Sequence, residues 1–292
     1  MKIVLFAYSD IGHDCLNYLL KSGEKVALLV THPHNEASGL KTPETIAHQY
    51  GMPVIKMSNS SDLKDLIPLL KSLKPDVMLS VYFRYIIPES ILEIAKLASL
   101  NMHGSFLPYY RGRCPVNWAI MRGAKETGVT LHHMVERVDA GDIVDQHKIP
   151  IHIEDTAGTV TQNLIQGSIT LLARQLPLFH QGLVARKALD ITQGFYCGGR
   201  TAEDSRIDWH RSNIEIYNFI RALQPSPPYP AAFSDSNGKR FYFLKARIPF
   251  QDLYPPQQPG TIIEKNTDYV VIACGQKGEE RLVVEHPHIL KN

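Results

Sequence analysis

The chain has 292 residues, of which 44% are hydrophobic and 21% charged, an ordinary globular composition long enough to bury a core without disulfide staples. Lys and Arg number 31 against 29 Asp and Glu, a formal charge of +2, which argues against a polyanion-binding surface spread over the whole molecule. Cys15, Cys114, Cys197 and Cys274 form no CxxC pair, no apolar run is long enough for a membrane span, and Met1–Tyr8 reads as a strand rather than a leader, so a cytoplasmic chain with free thiols is expected.

Lys2–Tyr8 is a short run of β-formers, and Gly12–Lys21 sets Cys15, Leu16, Leu19 and Leu20 at helical spacing. Lys25–Thr31 is again strand-like, and Thr42 caps a helix that starts at Pro43 and reaches Tyr50. Pro53–Lys56 reads as a strand, Ser60–Leu73 as one amphipathic helix and Asp76–Tyr82 as a buried strand. Pro88–Ala95 reads as a helix and Ser99–His103 as a strand. This alternation predicts an α/β fold, Rossmann-like, with a mostly parallel sheet, helices on both faces and right-handed crossovers. Ligands of such sheets bind beyond the carboxyl ends of the strands. The first turn, Tyr8-Ser9-Asp10-Ile11-Gly12, lacks GxGxxG, and GxxxxGK[ST] occurs nowhere, which discounts a nicotinamide dehydrogenase and a P-loop hydrolase.

Thr127–Met134 and Ile143–Pro150 read as partner strands around the turn Asp139-Ala140-Gly141-Asp142. A long helix is expected over Thr156–Phe179 and another over Asn213–Leu223. The run Pro225-Ser226-Pro227-Pro228-Tyr229-Pro230 excludes regular helix and central strand. Strand-like runs at Arg240–Ala246, Gly260–Glu264, Tyr269–Ala273 and Arg281–Val284 predict a small C-terminal β-rich, OB-like subdomain. The domains are therefore placed at 1–203 and 204–292.

The densest chemistry lies in Asn101-Met102-His103-Gly104-Ser105-Phe106-Leu107-Pro108-Tyr109-Tyr110-Arg111-Gly112-Arg113. Residues two apart on a strand share a face, so Asn101 and His103 point together and Met102 points away. An amide donor beside an imidazole suits oxyanion stabilisation and proton movement. Two polar residues at a strand end also describe an ordinary capped turn, and the pair alone leaves that reading open. Asp139 follows the next strand, where a meeting with His103 would orient the ring and raise its pKa. Asp142 and Asp145 are nearby competitors, more simply explained as turn and surface residues. His32-Pro33-His34 and His286-Pro287-His288 each offer two imidazoles, fewer ligands than zinc takes, and no metal is expected. Trp118 is expected to pack in a core rather than act as a stacking platform, and Lys239, Arg240, Lys245 and Arg247 to form a solvated face, with phosphate contact as the alternative.

The stretch Asn101–Pro108 followed by Tyr110-Arg111-Gly112, together with Glu126-Thr127-Gly128-Val129-Thr130 and then Asp139, resembles the signature of the folate-dependent formyltransferases over nearly the whole chain. Arg111-Gly112-Arg113-Cys114-Pro115-Val116-Asn117-Trp118 and Tyr82-Phe83-Arg84-Tyr85-Ile86-Ile87 are most similar to the formyltransferase domain acting on UDP-4-amino-4-deoxy-L-arabinose. Pro228-Tyr229-Pro230-Ala231-Ala232-Phe233 departs from the PWPGAF-like turn of that group. The resemblance implies N10-formyltetrahydrofolate as co-substrate and a nucleotide-linked amino sugar as acceptor, in lipid A or surface-glycan chemistry. It implies that Asn101 holds the formyl oxygen, His103 delivers a proton to the departing N10, and Asp139 supports His103 and helps deprotonate the amine. Folate contacts are implied at Tyr85, Ile86 and Ile87 and along Val135, Glu136, Arg137 and Val138, with Arg113 near the cofactor or the acceptor's phosphates.

Sugars carried on deoxythymidine diphosphate form the next acceptor class. Methionyl-tRNA as acceptor is disfavoured by the low charge and by Thr31–Lys41, which carries one lysine and one glutamate where the tRNA enzymes have a longer basic loop. A non-catalytic folate or nucleotide-sugar binder would have been expected to lose one of Asn101, His103 and Asp139, and all are present. A formate-releasing hydrolase is chemically adjacent.

Overall fold

The computed structural model describes residues 1–33, 41–223, 231–250 and 254–285. His34, the proline run 225–230 and the pair His286 and His288 lie outside the described residues. The chain packs as two compact units. One comprises Met1–Pro115, Glu126–Pro150 and Thr161–Cys197, and the other Val116–Lys125, Ile151–Val160 and Gly198–Asn292.

The first unit is built on a seven-stranded sheet. Its elements begin with β1 (Lys2–Ala7), α1 (Ser9–Lys21), β2 (Lys25–Thr31), α2 (Pro43–Gln49) and β3 (Val54–Lys56). They continue with α3 (Ile67–Leu73), β4 (Val77–Val81), α4 (Glu89–Leu92) and β5 (Ala98–His103). Next come β6 (Arg111–Gly112), β7 (Glu126–His133), β8 (Ile143–Pro150) and β9 (Tyr196–Cys197), with α5 (Pro115–Met121) belonging to the second unit from Val116 on and α6 (Ala157–His180) to the first unit from Thr161 on. The strand order is β3-β2-β1-β4-β5-β7-β8. The first five strands run parallel, whereas β7 is antiparallel to β5 and to β8. Val77–Val81 is buried throughout, which explains its unbroken apolar reading: a parallel strand covered on both faces has no polar side to alternate with.

The helices follow their sequence signals with two corrections. The Thr42 side chain accepts the Glu44 N–H ahead of Pro43, the expected cap. Ser60–Leu73 is not one helix: Ser61–Leu66 is a 3-10 segment and the α-helix starts at Ile67. Pro68 has no N–H to give to the preceding turn, so it fits only at the head of a new helix. Pro88–Ala95 shortens to the single turn of α4, after which the Lys96 N–H goes to Pro75 O. Under the sheet, Val4, Phe6, Leu28, Val30, Leu63 and Leu70 belong to one apolar cluster, with Phe83, Tyr85 and Met134 packed on its margin.

In the second unit α7 (Asn213–Ala222) opens on a complete capping box, Ser212 with Glu215. Its Ile216 and Ile220 pack with Phe243, Val270, Leu282 and Val284. The strands are β10 (Ala232–Ser236), β11 (Lys239–Phe243), β12 (Ala246–Arg247), β13 (Ile262–Lys265), β14 (Tyr269–Cys274) and β15 (Glu280–Glu285). They pair antiparallel as β10-β11 and as β12-β15-β14-β13. β10, with Ser234, Asp235 and Ser236, is too polar to stand out in the sequence, and its pairing with β11 defines it. Trp118, expected in a core, is half-buried with its indole N–H given to Gly198 O. Among the described residues no helix is long and apolar enough to cross a membrane.

Candidate active site

Alternation along β5 puts Asn101 and His103 on one face and buries Met102 on the other. The antiparallel register sets His132 of β7 directly opposite Asn101, and cross-strand partners share a face. Asn101 Nδ2 lies 3.1 Å from His132 Nε2. β7 runs back toward the amino end of β5, and the connection after it returns to bring Asp139 onto the same group. Asp139 Oδ1 accepts from Asn101 Nδ2 at 3.3 Å and lies 3.4 Å from His132 Nε2. Its Oδ2 accepts the Gly112 N–H at 2.8 Å and lies 3.4 Å from His103 Nδ1. The predicted trio of Asn101, His103 and Asp139 is thus one contiguous cluster, and His132 is a fourth member that sequence reading missed.

The hydrogen bonds constrain where protons sit. His132 Nδ1 faces only a carbonyl, His133 O at 2.9 Å, so it carries a proton and donates. In the neutral ring Nε2 is then an acceptor, served by Asn101. Asn101 therefore spends both amide hydrogens on His132 and Asp139. His103 faces two acceptors, Tyr110 O at 2.9 Å from Nε2 and Asp139 from Nδ1, and satisfies both only as the imidazolium. Asp139 is almost wholly buried, which alone would favour its neutral form. The His103 charge and the Gly112 N–H outweigh that burial and hold the carboxyl well below the usual carboxylate range.

Local structure supports this geometry. Gly112 has φ +95° and a Cβ there would stand 2.4 Å from Cys197 O, so only glycine can aim this N–H at Asp139. Tyr82, Tyr110, Cys114 and Asp139 are non-glycine residues in left-handed conformations, all on loops around β4, β5 and β7. Such backbone is costly and persists where surrounding contacts over-determine it. Below the cluster, Thr130 Oγ1 donates to Ser105 O at 2.7 Å and accepts Leu107 N–H at 3.1 Å. Gln146 Nε2 ties Thr130 and Leu107 O at 2.9 Å each, and Ser105 Oγ reaches Tyr109 O at 2.6 Å. This clamp fixes the path from His103 to Tyr110.

The residues implied as folate contacts lie on two loops. After β4, Ile87 is buried, Tyr85 donates its hydroxyl to Ser58 O at 2.6 Å, and Ile86 is 67% exposed. In the loop after β7, Val135, Glu136 and Arg137 are exposed and Val138 half-buried. Phe83, Tyr85, Ile87 and Met134 share the same apolar cluster, so the two loops rest on one support. Arg113 is exposed, its N–H bound to Cys197 O at 3.0 Å. Of the competing carboxylates, Asp145 is held by Arg174 and Gln175, and Asp142 lies 3.5 Å from Arg186.

His32, the first imidazole of the His-Pro-His pair, stacks on Phe83 with ring centres 4.4 Å apart. Its Nε2 accepts the Arg84 N–H and its Nδ1 meets Met57 O. Burial, reinforced by the Arg84 charge and opposed by Met57 O, brings its pKa down to about 4. It is a packed neutral ring.

A model of the formyl transferase family matches residues 1–176, and a model of that family's C-terminal domain matches residues 200–286. The chain belongs to the formyl transferase family. The enzyme class expected from the Asn101–Gly112 stretch is that of the family. The bifunctional polymyxin resistance protein ArnA of Wigglesworthia glossinidia brevipalpis is 38% identical over 291 residues, which is 98% of this chain and 43% of that protein. The chain thus spans less than half the length of that relative. Among solved structures, WlaRD, a sugar 3N-formyl transferase with dTDP and 5-N-formyl-THF, superposes with a TM-score of 0.72 at 20% identity, covering 98% of this chain and 97% of its own. An N-formyltransferase of Helicobacter canadensis with folinic acid and dTDP-3-aminofucose gives 0.72 at 21% identity, covering 99% of this chain and 100% of its own. These two likenesses show the fold, a mostly parallel sheet with a C-terminal antiparallel part.

Proposed function

We propose that this formyltransferase moves the formyl group of N10-formyltetrahydrofolate to the 4-amino group of a nucleotide-linked sugar, with UDP-4-amino-4-deoxy-L-arabinose as first choice. The observation that carries the reading is the buried cluster of Asn101, His103, His132 and Asp139. The 38% identity with an ArnA protein over almost the whole chain supports the acceptor. The dTDP-linked sugars named with the two solved structures make that carrier the second reading.

The donor would rest on the loops of Tyr85–Ile87 and Val135–Val138, where the apolar side chains Ile86 and Val135 stand exposed beside an aromatic support. Transfer removes one proton from the amine nitrogen and delivers one to the leaving N10. A single protonated site that gives its proton to N10 and regains one from the amine meets this need. His103 is suited to hold it, because its protonated ring satisfies both Tyr110 O and Asp139. Asp139, held well below the usual carboxylate range, acts as a fixed negative charge rather than as the proton carrier. Asn101 meets the formyl oxygen by releasing its longer bond, the 3.3 Å contact to Asp139, while His132 keeps the amide oriented. An oxyanion donor of this kind lowers the barrier by about 3–4 kcal/mol.

The test is a formylation assay with N10-formyltetrahydrofolate and a panel of UDP-4-amino-4-deoxy-L-arabinose, dTDP-linked amino sugars and initiator methionyl-tRNA. A formylated sugar nucleotide supports the proposal and identifies the carrier. Product on tRNA alone overturns the acceptor, and formate release without amine product replaces transfer by hydrolysis.

A further inference from the structure

Arg111 stands between the two backbone groups that touch the cluster. Tyr110 O before it meets His103, and the Gly112 N–H after it meets Asp139. Arg111 is 6% exposed, its Nε is sealed from solvent without an acceptor, and its guanidinium makes no hydrogen bond or ion pair among the described residues. The other buried arginines are not like this. Arg221 binds Asn218 and two backbone carbonyls, Arg281 binds four carbonyls, and Arg200 binds Asp204 O and Ser205.

A buried cation without a partner is unfavourable in the free protein, and such a group persists where a ligand supplies the missing charge. The planar fork of a guanidinium suits phosphate oxygens better than any neutral group. We propose that Arg111 is the anion-binding residue for the diphosphate of the nucleotide-linked acceptor, an assignment that rests on the acceptor class proposed above. The chemistry of the acceptor explains the placement. Its reacting amine must sit at His103 and Asp139, and its phosphate is attached one pyranose ring away from that amine. A phosphate site belonging to the residue between Tyr110 and Gly112 fits such a molecule. The carboxylates of the folate lie beyond a benzoyl ring from N10, a longer reach. Arg113, exposed two residues on, is free to meet the outer phosphate.

The test is Arg111→Met, a neutral side chain of similar length, compared with the wild type in titrations with UDP and with dTDP and in thermal melts. The ligand-free variant is expected to melt no lower than the wild type, because no side-chain hydrogen bond or ion pair is lost and methionine fills a similar length. Its nucleotide affinity should fall at least tenfold, and the upward Tm shift caused by nucleotide should disappear. In turnover the KM for the sugar nucleotide should rise at least tenfold, with the folate KM within twofold of wild type. Unchanged nucleotide affinity overturns Arg111 as the phosphate residue while leaving the proposed reaction intact. A clearly lower Tm with unchanged affinity makes it structural, and a loss confined to folate binding assigns it to the donor. A wild type that binds neither nucleotide, yet formylates another amine, overturns both this assignment and the acceptor class.

Discussion

Asp139→Asn isolates the charge at the centre of the cluster. Asparagine keeps the shape and one acceptor oxygen, so the Gly112 N–H remains served. What disappears is the negative charge 3.4 Å from His103 Nδ1. For a pair at that separation, an effective dielectric near 20 gives an attraction of about 5 kcal/mol. The amide dipole recovers part of it, leaving about 3 kcal/mol lost when the His103 ring holds its proton. At about 1.4 kcal/mol per factor of ten, kcat should fall by about 10². The assay is steady-state formylation at saturating donor and acceptor, with Tm measured alongside to verify folding. A folded variant with kcat within threefold of wild type would refute the reasoning, because Asp139 would then hold no proton in place. Stability gives a second sign. A depressed carboxyl contributes at pH above its unfolded value of about 4 and loses that contribution as pH falls through the lower folded value. Asp139→Asn should therefore differ from wild type in urea stability more at pH 7 than at pH 3.

Four further outcomes are expected. Asn101→Ala and His103→Ala should each lower kcat by about 10² or more with the fold retained, checked by single-turnover assay and circular dichroism. His132→Gln should lower kcat by about tenfold and be milder than His132→Ala, since an amide oxygen can still receive the Asn101 hydrogen, and equal losses in both variants would deny it a positioning role. Gly112→Ala should destabilise by about 2–4 kcal/mol in denaturant melts, from the left-handed backbone and the clash with Cys197 O. His32 stays neutral in the folded chain down to about pH 4, whereas the unfolded chain takes up a proton near 6.5, so stability should fall by about 2–3 kcal/mol between those values on acidification. The same pH slope in His32→Gln would contradict this.

Much of the site was legible because it is local. Asn101 and His103 share a face by strand alternation, and the motif around them extends through Gly112. His132 was not legible. It is one of two adjacent histidines near the end of β7, and only the antiparallel register decides which of them faces Asn101. His133 instead binds Ala185 O at 3.0 Å. Arg111 was visible as a motif letter, but its lack of a partner is a property of packing.

The sequence by itself determined the alternation of strands and helices, because apolar periodicity and capping residues act within a few positions of one another. It also placed Asn101 and His103 on one face at a strand end, because strand alternation acts over two residues. Tertiary structure alone decided the reversal of β7 and the return of Asp139 onto the face of β5. It also decided that Ser60–Leu73 breaks at Pro68, and that β10 forms despite its polar sequence. The physical reason is range: periodicity and caps are energies of neighbours in the chain, whereas register, burial and the charge state of Asp139 depend on groups brought together from distant segments.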